Sequence, residues 1–253
     1  MPLLEARHLS KHYGHAAPAV DDVSFALERG QTLGLVGESG SGKSTITRMV
    51  MGLIPPTAGV VLFDSIPLTG LPSRQMRQLR SRLQIVFQDP YAALNPRMRV
   101  FNIVTEPLVI HRACPRSELR TRAAELLRAA GLDESALPRF PHEFSGGQRQ
   151  RINIARALAL RPELIVLDEP LSSLDVSVAA QIANLLRDLQ RQFSLTYLFI
   201  SHSMPMVRYL STHIAVLHRG RMVEYGDAQQ ICTAPREPYT QTLIAATPEI
   251  RIA

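Results

Sequence analysis

The sequence predicts an α/β fold, with a mixed core sheet, an antiparallel β subdomain and an inserted α-helical subdomain. A glycine-rich loop at residues 37–45 lies between a short apolar run at 33–36 and a segment at 46–53 that can continue as a helix. Two later apolar runs, at 164–167 and 196–200, end in polar residues, as buried strands of parallel sheets do. Residues 90–160 combine proline turns with helical periodicity, which indicates the insertion.

The composition is that of a globular protein. Of 253 residues, 45% are hydrophobic, and no window approaches the roughly 18 consecutive apolar residues of a membrane-spanning helix. The first residues lack the basic-then-apolar layout of a signal peptide. Cys114 and Cys232 lie far apart without C-x-x-C spacing, so neither zinc nor an iron–sulfur cluster is expected. A cytosolic setting with free thiols is predicted.

The formal net charge is +6. A basic protein can bind nucleic acid or an anionic membrane surface. The arginines are scattered, however, and no run of five or six basic residues occurs. Most are expected on solvated helix faces, and direct binding of nucleic acid is not expected.

The glycine-rich loop matches the pattern G-x-x-x-x-G-K-[ST]. Its glycines let the backbone approach a ligand closely, and its N–H groups converge at a helix N-terminus, where an anion is favoured. Lys43 would supply a charge for terminal phosphates and the Ser44 hydroxyl a Mg²⁺ ligand. A flexible glycine turn is the alternative, but the strand–loop–helix context favours a nucleotide phosphate site. The predicted loop residues are Gly37, Glu38, Ser39, Gly40, Ser41, Gly42, Lys43, Ser44 and Thr45.

Residues before and after this loop add two candidates. Runs at 3–6 and 23–27 predict strands of a small antiparallel sheet, and Tyr13 lies between them. Tyr13 could stack on a nucleobase or simply pack in a turn. After a predicted strand at 60–63 and helix at 71–80, a buried strand at 83–87 ends in Gln88. At the carboxyl end of a parallel strand, Gln88 is placed to touch a metal ion or the attacking water.

The predicted insertion has proline turns at positions 90, 96, 107, 115, 138 and 141, which separate helical stretches, notably 116–130. It ends in the run Ser145, Gly146, Gly147 and Gln148, leading into a predicted helix at 152–160. Ser-Gly-Gly before a helix can bind an anion, and it can equally be an ordinary helix cap.

Polar residues also follow the two later strands. Asp168 and Glu169 come directly after the apolar run 164–167. Beside a phosphate loop, Asp168 would hold Mg²⁺ and Glu169 would orient the attacking water, although the pair could merely cap a turn. His202 follows the next strand and could hydrogen-bond a γ-phosphate or serve a structural role. A closing hairpin is predicted from the runs at 214–217 and 222–225.

Together these motifs occur in the order and approximate spacing of ATP-binding-cassette (ABC) ATPases, which the chain resembles over essentially its whole length. The Ser-Gly-Gly-Gln run separates this family from other P-loop NTPases. Two segments, Phe-Gln-Asp-Pro-Tyr-Ala-Ala-Leu-Asn-Pro-Arg at 87–97 and Pro-Arg-Glu-Pro-Tyr-Thr at 235–240, look like the ATPase subunits of peptide and nickel importers.

The resemblance implies the P-loop NTPase fold of ABC ATPases and a single nucleotide-binding domain over 1–253. Its core would comprise 1–89 and 161–233, with a helical subdomain at about 90–160 and an importer-type tail at 234–253. Leu171 stands where the family usually has Thr, and Ser203 where it has an acid. Neither change removes a proposed ligand, so a competent site is expected.

The resemblance also implies that two cassettes pair head to tail around two ATP molecules with Mg²⁺. Tyr13 would then stack on adenine, Glu169 would be the catalytic base, and His202 would contact the γ-phosphate. The implied catalytic set is Lys43, Gln88, Glu169 and His202. Implied Mg²⁺ contacts are Ser44, Gln88 and Asp168. Residues implied to face the partner cassette are the signature Ser145, Gly146, Gly147 and Gln148, with the dimer loop Ser173, Leu174 and Asp175.

The implied function is that of an importer ATPase at the cytoplasmic face of the inner membrane, powering uptake of peptides, nickel or a related metal chelate or small solute. Its implied partners are two transmembrane permease subunits, a second ABC ATPase (a related chain or this one) and a periplasmic or lipid-anchored solute-binding protein. The alternatives are a carbon–phosphorus lyase accessory cassette and a soluble cassette acting on ribosomes or nucleic acid. A degenerate regulatory cassette is disfavoured because the implied catalytic set is complete.

Overall fold

The structure, a computed structural model, describes residues 1–14 and 17–246. Within these ranges the strands are β1 (Leu4–Lys11), β2 (Val20–Leu27), β3 (Thr32–Val36), β4 (Ala58–Phe63), β5 (Ile66–Pro67), β6 (Leu83–Val86), β7 (Leu164–Asp168), β8 (Thr196–Ser201), β9 (His213–His218) and β10 (Arg221–Asp227). The α-helices are α1 (Lys43–Val50), α2 (Ser73–Arg82), α3 (Pro90–Ala93), α4 (Val100–His111), α5 (Leu119–Ala129), α6 (Gly146–Leu158), α7 (Val176–Phe193), α8 (Met204–Leu210), α9 (Ala228–Thr233) and α10 (Pro238–Ala245). Short 3₁₀ turns lie at Arg116–Glu118, Glu134–Ala136 and Pro141–Glu143.

The larger sheet has the strand order β10-β9-β3-β8-β7-β6. Strands β9, β3, β8, β7 and β6 run parallel, while β10 pairs antiparallel with β9, so the sheet is mixed as predicted. Val36 pairs with Ser201, and Asp168 pairs with Ile200. Strands β3, β8 and β7 therefore end in step, which brings the segments that follow them to one edge of the sheet.

The smaller sheet, with the order β2-β1-β4-β5, is antiparallel throughout. This confirms the predicted antiparallel β subdomain. Leu4 and Phe63 from this sheet pack in one buried cluster with Leu35 of β3 and Ile46 of α1. Helix α1 is therefore held between the two sheets, which fixes the direction of the loop that precedes it.

Two helices begin earlier than the sequence indicated. Helix α1 starts at Lys43 and ends at Val50, whereas the predicted segment ran from residue 46 to 53. Helix α6 starts at Gly146 rather than at residue 152, because Ser145 and Gln148 form a reciprocal capping box. In that box the Ser145 amide donates to the Gln148 carboxamide at 3.1 Å. The cap outweighs the low helix propensity of the two glycines.

Helices α4, α5 and α6 share a buried cluster of their own, which includes Val104, Leu127 and Ile152. Pro107 lies inside α4, so the predicted turn at this position is wrong. The buried face of α4 outweighs the hydrogen bond that proline cannot make. The predicted domain boundaries stay predictions, and the last part of the predicted tail, 247–253, lies outside the described residues.

Four charged residues connect the elements around the start of β7. Glu163 accepts hydrogen bonds from Arg29 and Arg82, and Asp64 accepts from the same two arginines. The hydrogen bond from Arg82 lowers the pKa of Glu163, and burial raises it. The hydrogen bond has the larger effect, so the pKa lies below its usual value. This cluster joins the end of α2 to the turns that precede β3, β5 and β7.

Across the described residues, no helix combines the length and the apolar character that crossing a bilayer requires.

Candidate nucleotide-binding site

A cleft of about 660 Å³ opens at the edge where β3, β7 and β8 end. It brings together most of the predicted phosphate loop with Gln88, Glu169 and His202. Its lining consists of Ala19, Gly37, Glu38, Ser39, Gly40, Gly42, Lys43, Ser44, Thr45, Gln88, Glu169, His202 and Leu243. Segments far apart in the chain therefore meet because their strands end in step.

Two positions of the loop require glycine because backbone from other segments approaches them closely. At Gly42, φ is 108°, and a Cβ atom would lie 2.5 Å from the Ala19 carbonyl oxygen. At Gly37, a Cβ atom would lie 2.2 Å from the carbonyl oxygen of Leu217. Any larger residue would push the loop away from β9 and from the segment before β2.

Lys43 is buried at the first position of α1. Its ammonium donates to the carbonyl oxygens of Gly37 and Glu38, both at 2.7 Å, and lies 3.3 Å from the Ser41 hydroxyl oxygen. Burial lowers the pKa of Lys43, and the carboxylates of Glu169, Asp168 and Glu38 oppose that shift. The ammonium is thus a buried cation that is held by loop oxygens and lies near carboxylates.

One carboxylate oxygen of Glu169 lies within hydrogen-bonding distance of the two other predicted residues that follow strands, Gln88 and His202. Glu169 Oε2 lies 3.1 Å from Gln88 Nε2 and 3.2 Å from His202 Nδ1. Glu169 itself has a positive φ of 47°, and its amide donates to the Ile200 carbonyl at 2.9 Å. Left-handed backbone at a non-glycine residue is uncommon and is often found at functional sites. This bond fixes the start of the turn that carries the Glu169 carboxylate.

Asp168 is the last residue of β7 and is partly buried. Burial, and then the charge of Glu169, raise the pKa of Asp168, while Arg48 and Lys43 oppose the shift. Mg²⁺ prefers oxygen ligands. The predicted contacts offer such oxygens in the Ser44 hydroxyl, the Asp168 carboxylate and the Gln88 carboxamide. A carboxylate whose ionised form is disfavoured by its surroundings gains from a nearby cation. The donor set therefore fits Mg²⁺.

The signature residues do not line the cleft. They form the first turn of α6, and at Gly147 a Cβ atom would lie 2.4 Å from Val178 Cγ1 of α7. A Cβ at Gly146 would lie 3.5 Å from Leu174 in the predicted dimer loop. The structure therefore places the signature and the dimer loop side by side, away from the phosphate loop of the same chain.

A buried glutamine connects helix α6 to the turn that carries Glu169. Gln150, in α6, is fully buried, and its carboxamide donates to the Pro170 carbonyl at 2.8 Å. Pro170 directly follows Glu169. One hydrogen bond thus joins the helix of Ser145 to the turn that carries Glu169.

Tyr13 is 47% exposed, and the Lys11 ammonium lies 5.5 Å from its ring centroid. It is absent from the lining of the cleft. Its stacking on adenine stays a prediction.

The sequence analysis missed Tyr239, in α10. Its hydroxyl oxygen accepts a hydrogen bond from the Glu38 amide at 3.2 Å. Its ring stacks on His218 with centroids 3.9 Å apart. The Pro-Tyr-Thr segment was noted only for its resemblance, and no spacing rule connects residues about 200 positions apart.

Comparison with known proteins gives two family matches. Residues 20–172 match the ABC transporter family, and residues 223–253 match the C-terminal region of oligopeptide/dipeptide transporters. The chain is 49% identical over 251 residues to the oligopeptide transport ATP-binding protein OppF of Bacillus subtilis, covering 97% of this chain and 82% of that one. It is 48% identical over 250 residues to a putative peptide import ATP-binding protein of Brucella ovis, covering 98% and 79%.

Solved structures show the same fold. CbiO1 from Clostridium perfringens, part of the ABC transporter complex cbiONQ, matches with a TM-score of 0.83 and 26% identity over 92% of this chain and 91% of that one. The ATP-binding cassette MJ0796, a dimer bound to ADP and Pi in a post-hydrolysis state, matches with a TM-score of 0.80 and 30% identity over 89% and 98%. The predicted fold is confirmed, and the chain belongs to the ABC transporter family as an ATP-hydrolysing cassette.

Proposed function

We propose that this chain is the ATPase subunit of an ABC importer that powers the uptake of peptides. The observation that supports the ATPase site best is the convergence of Gln88 and His202 on one oxygen of Glu169, at the mouth of the phosphate-loop cleft. The match of residues 223–253 to the oligopeptide/dipeptide transporter region, together with relatives named for peptide import, favours peptides as the cargo. Nickel is the alternative cargo, because the peptide and nickel importers form one group.

In the proposed mechanism the phosphate loop binds the ATP phosphates through its N–H groups, and Lys43 turns from the loop carbonyls to the terminal phosphates. Ser44, Asp168 and Gln88 would hold Mg²⁺, which supplies charge neutralisation for phosphoryl transfer. Lys43 and the helix N-terminus then act as electrostatic stabilisers, because both present positive charge where negative charge develops.

Glu169 is the proposed general base. Its carboxylate accepts a proton from the attacking water as the new oxygen–phosphorus bond forms and the bond between the γ-phosphorus and the β–γ bridging oxygen breaks, so that ADP leaves. Gln88 and His202 hold Oε2 in place, so the carboxylate does not have to be ordered at the moment of reaction. In this role both residues position the base, and His202 is also the proposed contact to the γ-phosphate.

The proposed working unit is a pair of cassettes. Gly146 and the proposed dimer loop lie side by side and outside their own cleft, so a second cassette would bring a signature to each ATP. The resemblance to peptide importers favours a related ATPase over another copy of this chain as that second cassette. Binding of ATP favours the closed pair and hydrolysis releases it, because the ligand binds one state more tightly.

Two transmembrane permease subunits and a solute-binding protein outside the membrane would complete the importer, with this chain at the cytoplasmic face. The test is affinity purification of the tagged chain from gently solubilised membranes. Recovery of two multi-span permeases and a second cassette is the expected result. Recovery of ribosomes, or of soluble enzymes alone, would contradict the importer assignment while leaving the ATPase assignment intact.

The cargo is tested with the purified importer in proteoliposomes. Uptake of a labelled oligopeptide should require ATP and should be lost with Lys43→Ala. Uptake of Ni²⁺ without uptake of peptide would contradict the peptide assignment.

A further inference from the structure

The peptide group between Gly37 and Glu38 is held at both of its polar ends. Its carbonyl oxygen accepts a hydrogen bond from the Lys43 ammonium at 2.7 Å. Its N–H donates to the Tyr239 hydroxyl oxygen at 3.2 Å. This is the first peptide of the phosphate loop, so its orientation sets the path of the N–H groups that follow.

Tyr239 is itself fixed in position. Its ring lies nearly parallel to the His218 imidazole, with an interplanar angle of 13° and a centroid distance of 3.9 Å. His218 ends β9, a direct neighbour of β3 in the core sheet. The backbone just before α10 is also anchored, because the Glu224 carboxylate accepts from the amides of Arg236 at 2.8 Å and Glu237 at 3.3 Å. The hydroxyl is therefore presented to the loop by two separate anchors.

We infer that Tyr239 is a positioning residue for ATP binding, acting on the phosphate loop through the Gly37–Glu38 peptide. This inference rests on the proposed assignment of residues 37–45 as the ATP phosphate site. All three N–H groups of the Lys43 ammonium face loop oxygens, so binding phosphate has to release at least one of them, and the bond to Tyr239 then helps to keep the peptide oriented. A loop that is already oriented loses less conformational freedom on binding, and this preserves affinity.

The test compares Tyr239→Phe with Tyr225→Phe as a matched control. Tyr225 also stacks on a histidine, His213, and its hydroxyl also bonds a backbone group, the Ala26 carbonyl, at 3.2 Å. Tyr225 is absent from the lining of the cleft. Both changes remove one hydroxyl and leave the ring.

For Tyr239→Phe we expect a rise of about threefold to tenfold in KM for ATP, the usual range for loss of one neutral hydrogen bond, with kcat changed by less than about twofold. Hydrogen–deuterium exchange of the segment containing the Glu38 amide should accelerate to a similar degree. Tyr225→Phe should leave both quantities at their wild-type values. His218→Ala should raise KM for ATP, as Tyr239→Phe does. His218→Phe retains a stacking ring and should keep KM near the wild-type value.

The variant Lys43→Ala distinguishes a failure of the Tyr239 role from a failure of the phosphate-site assignment. If Lys43→Ala loses ATP binding while Tyr239→Phe matches wild type in KM and in exchange at Glu38, the role of Tyr239 is wrong and the phosphate site stands. If Lys43→Ala binds ATP normally, the assignment of residues 37–45 is wrong, and the inference fails with it. A fall in kcat at unchanged KM for Tyr239→Phe would also overturn the positioning role.

Discussion

Glu169 Oε2 and His202 Nδ1 lie 3.2 Å apart, although 33 positions separate the two residues in the chain. The pairing of β7 with β8 produces this contact, since each residue directly follows one of these two strands. The same oxygen lies within hydrogen-bonding distance of Gln88, which follows β6. The register of three adjacent parallel strands therefore assembles the candidate catalytic cluster.

Glu169→Gln should bind ATP and nearly stop its hydrolysis. A carboxamide keeps the size of the side chain but cannot accept the proton of the attacking water, so a loss of about 10² to 10⁴ in turnover is expected. Turnover is measured by phosphate release, and a closed dimer trapped by ATP should elute early in size-exclusion chromatography. Hydrolysis at the wild-type rate would show that Glu169 is not the base.

Ser145→Arg should leave nucleotide binding by the single chain intact. Ser145 is exposed and caps α6 outside the cleft, so a bulky cation there obstructs the surface that would face a partner and also removes the N-cap hydrogen bond, which costs about 1 kcal/mol of stability. The ATP-dependent dimer should disappear in size-exclusion chromatography in the Glu169→Gln background, with ATP affinity unchanged. Arg120→Ala, at an exposed position of α5, is a suitable control. Normal dimerisation of the Ser145 variant would contradict the head-to-tail arrangement.

Gly42→Ala should weaken ATP binding and the fold together. The added Cβ would lie 2.5 Å from the Ala19 carbonyl at a φ of 108°, and strain of this kind costs about 1–3 kcal/mol. Thermal unfolding and ATP titration would measure the two effects. Gly40→Ala is the informative comparison, because that residue also has positive φ but meets no atom within 4 Å. Equal effects of the two changes would show that the contact with Ala19 is unimportant.

Glu163→Gln should lower the free energy of unfolding by about 1 kcal/mol near neutral pH, a value reduced because the arginine–carboxylate cluster is partly solvent-screened. The pKa of Glu163 is lower in the folded protein than in the unfolded chain. Its contribution is therefore present above the unfolded pKa, about 4.3, and disappears as the pH falls through the lower folded pKa.

Urea unfolding of wild type and Glu163→Gln across pH 3 to 7 would test this sign. The difference in stability between the two proteins should shrink toward the acid end. Glu125→Gln, which breaks a single pair with Arg122 at a more exposed carboxylate, should cost less than about 0.5 kcal/mol. A difference for Glu163→Gln that grows as the pH falls would contradict the predicted pKa direction.

Much of the fold and of the site could be predicted from the sequence because buried strands are apolar while the residues that follow them are polar. Apolar runs followed by Gln88, by Asp168 or by Ser201 and His202 indicated parallel strands, and parallel strands gather such residues at one edge. Helix starts were less predictable, because the glycines before α6 look like a loop until the reciprocal cap with Gln148 is seen.

Contacts that depend on tertiary packing could not be foreseen. Pro107 looks like a break in a helix, yet the buried face of α4 carries the helix through it. The contact of Tyr239 with the Glu38 amide depends on how α10 returns to β9, and no local pattern encodes that path.

The hydrogen bond from Gln150 to the Pro170 carbonyl has a consequence for a pair of cassettes. It joins the turn that carries Glu169 to the helix that would touch the other chain's ATP in the proposed pair. In that pair a rearrangement of the turn would be transmitted to the opposite nucleotide, and the influence would have to be mutual. Thermodynamic reciprocity requires that the factor by which one bound ATP changes affinity for the second equals the factor in the reverse direction. Replacing Gln150 with leucine would remove this bond and should make the two nucleotides bind more independently.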